Sequence, residues 1–70
     1  MPRIEELDLH GIQHDEVDRL VENFVLLKSL PLRIITGNSD EMRRLVVNVL
    51  ERHHMNYWSF KPGQVTIFKW

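Results

Sequence analysis

Seventy residues make one domain, and the expected unit is a single domain over 1–70. A composition of 43% hydrophobic and 27% charged residues excludes a disordered chain, and the absence of cysteine excludes disulfides and thiolate zinc sites. The net charge of -1 argues against nucleic-acid binding by bulk electrostatics, yet its distribution is uneven. Three cations face seven carboxylates in residues 1–30, and six face three in residues 31–70.

In chain order, Ile4 to Leu9 reads as a strand, because Leu7 and Leu9 alternate with Asp8 and His10. Gly11 breaks it. From about His14 to Leu30 the period changes to that of a helix. Val17, Leu20, Val21, Phe24 and Leu27 share one predicted face, and Asp15, Glu16 and Asp18 suit the dipole of its first turn. Pro31 ends the helix. Leu32 to Thr36 is short, β-branched and largely apolar, as a buried central strand is. Asn38 is placed to cap a second helix, with Glu41 completing a capping box. Met42, Leu45, Val46, Val49 and Leu50 form its stripe, which fades near His53 and His54.

Tyr57 to Lys61 and Val65 to Trp70 read as a hairpin about Pro62-Gly63. The order βαβαββ predicts an α+β two-layer sandwich: a four-stranded mixed sheet with both helices on one face. The hairpin aromatics Trp58, Phe60, Phe68 and Trp70 then serve three alternatives. They cover a thin core, form a homodimer surface, or stack single-stranded bases.

Two motifs carry the chemistry. Asp8-Leu9-His10-Gly11 and Thr36-Gly37-Asn38-Ser39 each follow a predicted strand and precede a helix. If the strands are parallel neighbours, both motifs meet at one sheet edge, where ligands bind in open α/β sheets. Alone, each motif occurs often by chance as a polar turn or a helix cap. Asp8 and His10, two apart on a strand, should point the same way. A carboxylate beside an imidazole raises its pKa and fixes its tautomer, which suits acid–base work on a phosphodiester. Gly11 gives the substrate an approach to the backbone. The amides of Gly37, Asn38 and Ser39 at the helix start, with Arg43 and Arg44, form the expected phosphate site. His53-His54 faces two directions and suits a helix C-terminus better than a metal. No protein-held metal or cofactor is expected, and Mg²⁺ held by Asp8 with substrate phosphates stays open.

Leu7-Asp8-Leu9-His10-Gly11 and Ile34-Ile35-Thr36-Gly37 resemble the two motifs of the Smr (small MutS-related) domain family. The first is the family's Leu-Asp-x-His-Gly, and the second begins its Thr-Gly-x-Gly form. The resemblance spans Glu6 to about Phe68 and implies nucleic-acid binding with endonuclease activity on DNA or RNA. It implies Asp8 and His10 as catalytic residues, with Thr36 and Gly37 in the wall of the site. Ser39 stands where the second motif ends in glycine, and Thr36 stands where many members carry histidine. The alternatives are a non-catalytic nucleic-acid-binding module and a protein-interaction domain that dimerises through its open sheet face. No apolar run spans a bilayer and residues 1–9 hold no signal core, so a cytoplasmic location is expected.

Overall fold

The computed structural model describes residues 4–69. The elements run β1 (Glu5–Asp8), α1 (His14–Leu27), β2 (Leu32–Ile35), α2 (Asp40–Arg52), β3 (Asn56–Trp58) and β4 (Gln64–Lys69). The sheet order is β1-β2-β4-β3. β1 lies parallel to β2, and β4 runs antiparallel to both of its neighbours. This is the mixed α+β sheet that the βαβαββ reading predicts.

The alternation of each strand selects the core face. Leu32 and Ile34 of β2 sit opposite Ile67 and Val65 of β4, and all four are fully buried. The same cluster holds Val17, Val21 and Val25 of α1 and Met42, Val46, Val49 and Leu50 of α2. Both helices therefore cover one face of the sheet. Each such aliphatic side chain contributes about 1.5–3 kcal/mol relative to exposure. Arg52 pairs with Asp18 across the two helices, and His53 Nε2 lies 2.9 Å from Glu22 Oε2. His53 thus bridges the helices, a role beyond that of a cation at a helix end. None of the helices in the described residues is long and apolar enough to cross a membrane.

Several predicted boundaries move. α1 stops at Leu27, where the amide of Lys28 closes the last turn on Phe24 O and the backbone becomes extended. Its buried line is Val17, Val21 and Val25, and Leu27 is 79% exposed. Ten residues beyond Val17 a side chain has turned by about 280° from it, off the inward face. β1 begins at Glu5 and ends at Asp8, short of Leu9. β2 ends at Ile35: the Thr36 amide still reaches Gly63 O in the β2–β4 register, and Gly37, at φ +70°, turns the chain out of the sheet. β3 ends at Trp58, because Ser59 folds inward to bond Gln64 O through its hydroxyl at 2.8 Å. Asn38 is not the cap of α2. Ser39 Oγ accepts the Met42 amide at 3.1 Å, and Glu41 pairs with Arg44 instead of closing a box. Trp70, expected at the end of the hairpin, lies outside the described residues.

The register places the ends of three strands in one row. Asp8 pairs with Ile35, and Ile35 pairs with Gln64. The β1–α1, β2–α2 and β3–β4 loops therefore leave the sheet side by side.

Candidate active site

Asp8 is the last residue of β1, and its side chain is 60% exposed. Its Oδ1 accepts two hydrogen bonds from His10, the backbone N–H at 2.9 Å and ring Nδ1 at 2.7 Å. The expected route to this pair was strand alternation, yet His10 lies in the turn beyond the strand. A local carboxylate-to-backbone turn makes the contact, as aspartate does where a strand gives way to a loop. The His10 amide, and then its ring, hold the Asp8 carboxyl below its ordinary value of 3.8. An ionised Asp8 only accepts, so Nδ1 carries a proton, and in the neutral imidazole Nε2 is then the nitrogen with the lone pair.

That Nε2 faces the second motif. Gly37 has φ +70°, and a Cβ built on it would stand 2.9 Å from His10 Nε2. Only glycine gives both the left-handed backbone and the room for the ring. Gly63 sits on the other side of Gly37. Its carbonyl accepts the amides of Thr36 at 2.7 Å and Gly37 at 3.1 Å. Its own φ is +83°, and an added Cβ would meet Gly37 O at 3.1 Å. Three loops thus close on one residue.

Beyond Gly37 an open pocket of about 470 Å³ lies between the β2–α2 and β3–β4 loops. Arg43 and Lys61 supply cations to its lining, and Phe60 supplies a ring. Arg43 Nη1 donates to Ser59 Oγ at 3.0 Å, which fixes the guanidinium against the hairpin loop. Asp40, at the start of α2, is the carboxylate in the lining.

The predicted residues divide. Asp8, His10 and Gly37 come together, and Asn38, Ser39 and Arg43 line the pocket with Gly37. Thr36 is buried and donates its hydroxyl to Gly37 O at 3.1 Å, so it braces the loop and offers no free donor. The Gly37 amide is spent on Gly63 O, which removes one of the expected phosphate amides. Arg44 is exposed, pairs with Glu41 and is absent from the pocket lining. Gly11 lies in the exposed turn after His10, with open space above it. Ser59, Lys61 and Gly63 were not foreseen as site residues. The Pro62-Gly63 turn was legible as a turn, but only the β2–β4 register brings it to Gly37. Among the described residues no group of three or more His, Asp or Glu could hold a metal ion.

Two solved structures share this architecture. The crystal structure of a human small-MutS related domain is 24% identical, covers 91% of this chain and 99% of its own, and has a TM-score of 0.64. The solution structure of the SMR domain of NEDD4-binding protein 2 is 21% identical, covers 100% of this chain and 90% of its own, and has a TM-score of 0.66. The chain has the Smr-domain fold. No family model and no curated protein matches the chain.

Proposed function

We propose that the chain is an Smr-like nucleic-acid-binding domain that cleaves phosphodiesters at Asp8 and His10. The observation that carries this reading is the Asp8–His10 pair held against Gly37, with Nδ1 committed to Asp8 and Nε2 facing the second motif. In this reading Asp8 fixes the tautomer and stabilises the imidazolium that forms. Nε2 takes the proton of an attacking hydroxyl, whose oxygen bonds to phosphorus. The bond from phosphorus to the leaving sugar oxygen breaks, and that oxygen takes a proton from solvent, to which the His10 imidazolium returns its own. Arg43 and Lys61 hold the strand through its phosphates. The substrate is DNA or RNA; were a Mg²⁺ used, the exposed Asp8 carboxylate would help to hold it, and the ion would supply charge neutralisation at the phosphate.

The test is cleavage of single-stranded RNA, duplex DNA and branched DNA, with and without Mg²⁺, by the protein and by Asp8→Ala and His10→Ala. Loss of cleavage in both variants supports the reading, and cleavage that survives His10→Ala refutes the catalytic assignment. A second reading, a binding module without chemistry, is favoured by one residue. Thr36, buried against Gly37 O, leaves no imidazole at that position to serve as a second proton carrier. A wild-type protein that binds nucleic acid and never cleaves it supports this reading.

A further inference from the structure

The described cations fall into two sets. Arg19, Lys28, Arg33, Arg44 and Arg52 each pair with a carboxylate. Among the residues whose side chains are described, Arg43 and Lys61 are the cations without such a partner, and both line the pocket beyond Gly37. Arg43 is half-buried with a neutral hydroxyl as its bonded neighbour. Asp40 offsets part of this charge, which leaves the lining with two cations to one carboxylate.

The same pocket opens onto an aromatic row. Phe60 lines it and stands 67% exposed. Its ring lies 5.7 Å from Phe68, edge to face, and 6.4 Å from Trp58. Trp58 and Phe68 are 59% and 45% exposed on the sheet face away from the helices. Large rings left in water beside unpaired cations suit a ligand with a flat apolar face and an anionic group. An unpaired nucleotide has both, whereas a duplex hides its base faces by stacking.

We propose that this pocket and the row of Phe60, Trp58 and Phe68 form a subsite for unpaired nucleotides flanking the scissile bond. Arg43 and Lys61 take a phosphate, and Phe60 stacks on the adjoining base. The domain therefore selects single strands, or the single-stranded parts of branched substrates, over continuous duplex. This rests on the nucleic-acid reading above and adds the substrate's form to it.

The test is fluorescence polarisation with end-labelled eight-nucleotide poly-U, the matching poly-dT and a hairpin duplex. The proteins are wild type, Phe60→Ala, Phe60→Tyr and Lys61→Ala, over a salt series. Phe60 is exposed, so its replacement leaves the core intact. Phe60→Ala is expected to weaken both single strands by about fivefold or more, leave duplex binding within twofold, and keep the salt slope. Phe60→Tyr, which keeps the ring, restores binding. Lys61→Ala is expected to reduce the salt slope by about 0.7 on single strands. The inference is overturned if the wild type binds all three probes but Phe60→Ala leaves single-strand binding unchanged or weakens duplex equally; the nucleic-acid reading then survives. If the wild type binds none of the probes, both fall. Sedimentation of Phe60→Ala beside wild type then shows whether the aromatic row is an interface between two copies.

Discussion

The two sides of Gly37 are built by different means. On one side, Asp8 and His10 are two residues apart and hold each other through one carboxylate oxygen. On the other, the pocket needs Arg43 from α2 and Ser59 to Gly63 from the hairpin, joined by Arg43–Ser59 and Ser59–Gln64 bonds. A local pair needs only its own turn to form. An assembled pocket needs the sheet register, so it is lost when the loops part. Damage to the loop junction should therefore disable the pocket first and the pair last.

The largest expected effect comes from Gly63→Ala. The substitution sets a methyl against the Gly37 backbone at a positive φ, where neither chain can yield by rotating a side chain. A loss of about 1–3 kcal/mol of stability is expected in urea unfolding, together with loss of the pocket's contribution to binding. Gly37→Ala is milder for stability, because the atom its methyl meets is the outer end of the His10 side chain rather than backbone. Its expected cost is about 1–2 kcal/mol from the left-handed backbone. Cleavage should nevertheless fall by about a hundredfold as Nε2 is displaced. If Gly37→Ala cleaves as well as wild type, the position of His10 above Gly37 has no part in the chemistry.

The Asp8–His10 side can be followed by titration. Asp8 ionises below its ordinary value of 3.8 in the folded chain, held there by the His10 amide and ring. A lowered carboxylate stabilises the fold above its unfolded value and loses that contribution as pH falls through the folded one. The contribution of Asp8 is thus present above about pH 4 and declines on further acidification. The carboxyl carbon shift of Asp8, followed by NMR, should titrate below 3.8 in the wild type and rise part of the way back in His10→Ala. It does not return fully, because the backbone amide of residue 10 remains. The smallest effect is expected from Arg44→Ala. Its surface pair with Glu41 contributes about 0.5 kcal/mol or less, and nucleic-acid affinity should stay within twofold.

Legibility in the sequence follows the same division. Alternation and helical spacing located all six elements, and the two motifs marked the strand ends that the parallel β1–β2 register brings together. Asp8 with His10 was visible because the contact is local. The role of Ser39 was missed because Asn38 is an equally good cap by type, and only the backbone decides between adjacent candidates. Arg43 and Arg44 were indistinguishable as neighbours in a charge run. Their separation depends on which faces the hairpin, where Ser59 receives Arg43 and Glu41 takes Arg44. Lys61 belongs to no motif and Gly63 reads only as half of a turn; their place at the site comes from Gln64 pairing with Ile35.

The proposed work is divided at Gly37, with chemistry on the Asp8–His10 side and grip on the Arg43–Lys61 side. Cleavage rate and affinity should be measured side by side on one labelled single strand for His10→Ala and for Arg43→Ala with Lys61→Ala. The predicted result is lost cleavage at unchanged Kd in the first, and a Kd raised by about tenfold or more with near-normal cleavage at saturating strand in the second. If both variants lose cleavage and affinity in the same proportion, the two sides of Gly37 do not work separately.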